Sequence, residues 1–187
     1  MSTVWLKGVE TLIRAMSQIK SEGVHSPVHL AIIGGEPEAS QEDVSAEMRR
    51  LRDLCDELNM DQTVVFLGKR RQDTLQYYYS AAEVVVMPSH YESFGMVALE
   101  AMACGTPVLA SDVGGLGFLV QDGVTGFTVP DGDADLLYSR LSLLLSDEPL
   151  RKKMGKAATA YARDFSWDRI TRQVHAVYRE LVTIKEP

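Results

Sequence analysis

The chain has 187 residues, 45% of them apolar and 24% charged, which is enough for one hydrophobic core of ordinary size and is not the balance of a disordered or fibrous chain. Its net charge of -7, with basic runs no longer than Lys69-Arg70-Arg71 and Arg151-Lys152-Lys153, argues against a nucleic-acid partner. Cys55 and Cys104 fit no metal or redox spacing, the four histidines form no ligand set, and neither a membrane-spanning run nor a signal peptide is legible, so the expectation is a cytoplasmic protein without a metal.

Val9, Leu12, Ile13, Met16 and Ile19 form a helical stripe over residues 7 to 20. His29 to Ile33 then reads as a buried strand ending at Gly34-Gly35. Val44, Met48, Leu51, Leu54, Cys55 and Leu58 make a second amphipathic helix, followed by the strand Val64 to Leu67, which ends at Gly68. A helix over Thr74 to Ala81 precedes the apolar strand Val84 to Met87. A further helix through Glu100 is stopped by Gly105 and Pro107 and precedes the strand Val108 to Ala110. Beyond Gly114 the pattern loosens into a short strand, Phe127 to Val129, and three helices, Ala134 to Ser146, Pro149 to Ala162 and Trp167 to Val182. Strand and helix alternate, which predicts a parallel sheet with helices on both faces, one domain over 1–187 whose section 133–187 is helical. Ligands of such sheets sit outside the carboxyl ends of the strands. There stand Gly34-Gly35, Gly68-Lys69-Arg70, Ser89 to Gly95 and Ser111 to Leu116.

Pro88-Ser-His-Tyr-Glu-Ser-Phe-Gly-Met-Val-Ala-Leu-Glu100 carries the most chemistry. Ser93 is a plausible N-cap, and the first turn after it, Phe94-Gly95-Met96-Val97, holds no acid and offers unpaired amides that attract a phosphate. Glu92 lies just before this anion hole and Glu100 about two turns beyond it. Carboxylates accept from hydroxyls, so the pair flanks a polyol phosphate. Either acid alone reads as a solvated residue; both together with Gly95 between them favour a site. His90 either touches the ligand or closes a turn. Lys7 by itself reads as a lysine that snorkels at a helix start. Of Tyr77, Tyr78 and Tyr79, at least one should pack inward. Asp131-Gly-Asp133-Ala-Asp135 has the look of a metal motif, but Asp133 suits the N-cap of the following helix. Gly115-Leu-Gly117-Phe-Leu-Val120 imitates a dinucleotide fingerprint but lacks its third glycine, which disfavours an oxidoreductase.

The pattern Pro88-Ser89, Glu92, Phe94-Gly95, Glu100-Ala-Met-Ala, Gly105-Thr-Pro-Val108 and Val113-Gly-Gly115 closely resembles the nucleotide-sugar-binding half of the retaining GT-B glycosyltransferases of family four, the glycosyltransferase group 1 domain. Lys7-Gly8, Gly34-Gly35, Tyr77 to Ala82, Gly123-Val-Thr-Gly126 and Phe165-Ser-Trp167 support the resemblance, and Ser89 to Gly95 look most like the sucrose-phosphate-synthase and inositol-phosphate-transferase branches. The resemblance implies a Rossmann-like C-terminal domain that takes a nucleotide diphosphate sugar as substrate, with UDP-glucose the leading donor and no cofactor. Under it, Glu100 accepts from the ribose hydroxyls. Glu92 and the Phe94, Gly95, Met96 and Val97 amides hold the sugar and diphosphate. Lys7 stabilises the leaving group, and Gly34, Gly35, Lys69, Arg70, Gly115 and Leu116 border the nucleotide. The chain departs from the family at its start. An arginine expected five residues before the lysine is replaced by Ser2, the first central strand is truncated or missing, and the N-terminal acceptor domain is absent. The resemblance therefore implies a fragment that is inactive alone and prone to self-association, or a non-catalytic binding module needing a partner acceptor domain.

Overall fold

The computed structural model describes residues 7–23, 27–34 and 46–183. Helix α1 (Val9–Glu22) leads to β1 (Leu30–Ile33), α2 (Ala46–Glu57), β2 (Val64–Gly68), α3 (Gln72–Ala81), β3 (Val85–Met87) and α4 (Met96–Ala103). Then come β4 (Val108–Ser111), α5 (Gly114–Leu119), β5 (Gly126–Val129), α6 (Ala134–Ser146), α7 (Glu148–Ala162), a 3-10 turn (Arg163–Phe165) and α8 (Trp167–Thr183). All strand pairs are parallel, as the alternation of elements requires.

The strands divide into two sheets, β1-β2 and β3-β4-β5. Among the described residues β1 and β3 are each hydrogen-bonded on one side only. The expected truncation of a first central strand concerns residues 1–6, outside the described residues. Among the described residues the sheets are united by side-chain packing. Alternate residues of a strand face opposite sides, and here Val84 and Val86 join a cluster with Leu109, Phe127 and Val64, whereas Val85 and Met87 join one with Val108 and Ala110. The first cluster is roofed by α1, α2 and α6, the second by α4, α5 and α7. Strand β4 is thus covered on both faces, with Val108, Leu109 and Ala110 fully buried.

Helix α1 buries Leu12, Ile13, Ala15, Met16 and Ile19, the spacing of one helical face. Its polar face is fastened to α2 by Arg50, which donates to Glu10 and, at 2.8 Å, to Glu47. The Arg50 and then the Arg14 guanidinium hold the Glu10 carboxyl below its ordinary value. A carboxyl depressed in the fold stabilises above its unfolded pKa and loses that contribution as pH falls through the folded value. Arg50→Ala should therefore lower stability at neutral pH by less than about 1 kcal/mol, since these groups are partly solvated. Urea melts of wild type and variant should converge as pH falls through the depressed folded value of the Glu10 carboxyl.

Two elements depart from the expected order. Helix α5 occupies the stretch in which the pattern loosens, and the 3-10 turn precedes α8. Asp133 caps α6 as expected, accepting from the Leu136 amide at 2.9 Å. Helix α8 rests on the 3-10 turn, where Arg169 pairs with Asp164 at 2.7 Å, yet leaves Val174, Val177, Tyr178 and Leu181 exposed along one stripe. No described helix is long and apolar enough to cross a membrane.

Candidate functional site

The carboxyl ends of β3 and β4 bring the special residues together. Helix α4 begins at Met96, and its N-cap is Gly95 rather than the expected Ser93. Gly95 has φ 97°, a left-handed conformation that glycine tolerates and serine does not. The space its missing side chain leaves is filled from below: a Cβ there would stand 2.8 Å from Leu116 Cδ2. Gly95 thus serves the turn and the packing beneath it. The first bond of the helix runs from the Leu99 amide to the Gly95 carbonyl at 3.1 Å. The Met96, Val97 and Ala98 amides precede it and have no partner inside the helix. Phe94, Met96 and Val97 are 41–54% exposed, so this end faces solvent on an open shelf.

Lys7 reaches that shelf from the start of α1. A Cβ on the neighbouring Gly8 would lie 1.8 Å from the Pro88 carbonyl oxygen, which shows how closely the start of α1 abuts the loop after β3. From there Lys7 Nζ donates to Glu92 Oε2 at 2.6 Å. The structure thus gives Lys7 a charged partner on the loop after β3. On the other side of the loop the Glu92 carbonyl accepts from the Gly115 amide at 3.0 Å, so that amide is taken by the chain. Leu116 is completely buried and its amide is bonded to the Val113 carbonyl. It supports Gly95 from beneath and presents no side chain to the shelf.

Glu100 lies one turn into α4, about 6 Å along the axis from Met96. Its Oε1 accepts from Gln72 Nε2 at 2.8 Å and its Oε2 from the Tyr79 hydroxyl at 3.0 Å. Tyr79 is the tyrosine that packs inward, 8% exposed, while Tyr77 stays 69% exposed and Tyr78 accepts from Arg70 Nε at 3.0 Å. Burial, then the hydrogen bond and charge of Glu100, push the Tyr79 phenol well above its ordinary pKa, so it remains a donor at neutral pH. Gln72 opens α3 two residues after Arg70, which brings the exposed Lys69-Arg70 turn toward Glu100. The Gly34 amide donates to the Gly68 carbonyl at 3.0 Å, joining the loops after β1 and β2. Gly35 lies outside the described residues.

His90 is half-buried, and its Nδ1 lies 2.7 Å from Asp131 Oδ1, tying the loop after β3 to the loop after β5. Sequence reading gave no sign of this pair, 41 residues apart, nor of Gln72 and Tyr79 as partners of Glu100. Among the described residues no group of three or more His, Cys, Asp or Glu could hold a metal ion.

The glycosyl transferases group 1 model matches residues 2–161. The chain belongs to that family. Within the glycosyl transferases group 1 family it is 41% identical over 177 residues to a D-inositol 3-phosphate glycosyltransferase of Acidothermus cellulolyticus, covering 94% of this chain and 38% of the relative. The corresponding protein of Corynebacterium jeikeium is 38% identical over 176 residues, covering 94% of this chain and 41% of the relative. The chain thus spans about two fifths of the length of these curated relatives. Among solved structures, a sucrose-phosphate synthase from Thermosynechococcus elongatus superposes with TM-score 0.82 at 40% identity, over 96% of this chain and 43% of that one. Anabaena HepE in complex with UDP and glucose gives TM-score 0.77 at 27% identity, over 94% and 45%. The parallel α/β architecture is that of the carboxyl-terminal half of a GT-B glycosyltransferase, as the resemblance implied.

Proposed function

We propose that this domain binds the donor in a retaining hexosyl transfer, with UDP-glucose as substrate, and that the acceptor is held by a second domain. The observation that carries the reading is the shelf at the start of α4. Its free amides, the Lys7 ammonium and the Glu92 carboxylate lie on one side, and the Glu100 carboxylate lies one turn on. The Anabaena HepE structures, which hold UDP with glucose or UDP-glucose, support the donor class. Breaking the bond between the sugar's anomeric carbon and the diphosphate sends the electron pair to a phosphate oxygen. The Lys7 ammonium and the α4 amides are placed to stabilise that charge. Glu92 holds Lys7 in place and accepts from sugar hydroxyls, and Glu100 accepts from the ribose. His90, fixed by Asp131, borders the sugar, and Gly34, Lys69 and Arg70 border the nucleotide. No cofactor or metal enters this scheme.

The shelf has no opposing wall among the described residues, and the relatives are more than twice as long. The domain alone binds donor weakly and transfers no sugar, and it tends to self-associate. As a non-catalytic module it would still bind the nucleotide, so transfer restored by an acceptor domain supplied in trans separates the two readings. Calorimetric titration with UDP, GDP, ADP and their sugar conjugates tests the donor. UDP-glucose should bind most tightly, and absence of binding by every one of them would overturn the reading.

Lys7→Ala should separate diphosphate recognition from folding. The ion pair is half exposed on the lysine side, so its removal should change stability by less than about 1 kcal/mol. UDP affinity should fall about tenfold and UMP affinity much less, because one charge-assisted phosphate contact is lost. Equal losses for both nucleotides would place Lys7 elsewhere.

A further inference from the structure

We infer that Tyr79 and Gln72 are positioning residues that fix the Glu100 carboxylate for a vicinal diol, so that the domain's preference for an intact ribose depends on them. The inference rests on the proposed reading of Glu100 as the ribose acceptor.

An ionised carboxylate has about four lone-pair directions, two on each oxygen. In Glu100 one on Oε1 is filled by Gln72 Nε2 and one on Oε2 by the Tyr79 hydroxyl. One remains on each oxygen, which is the complement of two adjacent hydroxyl donors. The two protein donors also fix the plane of the group. A glutamate free to rotate must be ordered when the ligand binds, whereas here that ordering is accomplished in the fold.

The donors differ in rigidity. The Tyr79 ring lies in the cluster of Met87, Ala98, Ala101 and Met102, and its backbone carbonyl accepts from the buried Thr106 hydroxyl at 2.6 Å. Its hydroxyl is therefore held from both the side chain and the main chain. Gln72 is exposed at the first turn of α3 and sits beside the Lys69-Arg70 turn. It couples the position of that turn to the carboxylate.

The test is the preference of the 187-residue chain for UDP over 2′,3′-dideoxy-UDP, read as the ratio of dissociation constants. Tyr79→Phe keeps the ring and removes the donor, and Gln72→Ala alters an exposed side chain, so the second variant remains informative if the first is poorly folded. Each should reduce the ratio about threefold to tenfold with little change in dideoxy-UDP affinity, and the double variant should remove most of it. Equal weakening of both ligands, or an unchanged ratio in both variants, would overturn the inference. Glu100→Ala distinguishes the two levels. If it leaves the ratio intact, the ribose reading itself fails. If it abolishes the ratio while Tyr79→Phe and Gln72→Ala do not, only the positioning role fails.

Discussion

Glu100→Ala is expected to weaken UDP binding by about a hundredfold and to make the protein less stable as well. Hydrogen bonds to a charged group contribute about 1.5–3 kcal/mol each, and two to the ribose give roughly the hundredfold loss. The stability effect arises from what the carboxylate leaves behind. Gln72 is exposed and turns to water, but the Tyr79 hydroxyl sits on an 8% exposed side chain and loses its acceptor. An unsatisfied buried donor costs about 1–3 kcal/mol. Calorimetric titration and a urea melt on the same sample read the two consequences separately. Unchanged UDP affinity would remove the ribose role, even if the melt shifted as expected.

Gly115→Ala is expected to have a large effect from a single methyl group. A Cβ at this position would stand 2.4–2.6 Å from Phe94 Cα, C and O, all backbone atoms that cannot rotate aside. Forcing atoms into a packed contact costs about 1–3 kcal/mol. For a chain of this length the melting temperature should fall by roughly 3–10 °C. The displaced segment carries Glu92 and leads into Gly95, and the Gly115 amide is itself bonded to the Glu92 carbonyl. Nucleotide affinity should therefore fall about tenfold even well below the melting point, since misplacement of a binding loop is felt directly. Gly23→Ala is the control. Nothing lies within 4 Å of its Cβ, so it should carry only the cost of a left-handed alanine, about 1–2 kcal/mol, and leave binding unchanged.

The residues that were legible and those that were not differ in how far their determinants lie along the chain. Helix α6 is predictable to its ends because the Asp133 cap and the leucine repeat are local signals. Glu92 and Glu100 are legible because one continuous block of sequence carries both. Helix α5 is not. Three of its six residues are glycine, the poorest ordinary helix former, and it exists because Leu116 and Leu119 are buried beneath the shelf. Ser93 has the better capping side chain, but the chain enters α4 through the left-handed Gly95, whose geometry answers to Leu116, some twenty residues away. The partners of Glu100 lie on another helix, and only the topology that sets α3 beside α4 makes them neighbours. Composition and periodicity carry no trace of such a meeting.

Among the described residues no ladder joins β1 to β3, and this bears on how the molecule comes apart. Strand hydrogen bonding among the described residues would by itself let the two sheets separate. Leu12, Ile13 and Met16 of α1, however, share one apolar mass with Val64 on one sheet and Leu109 and Phe127 on the other, and α1 also lies along α6. Parting the halves would bring that whole surface into water at once, a penalty spread over many side chains rather than stored at any seam. Cooperativity here belongs in large part to a helix acting as a keystone.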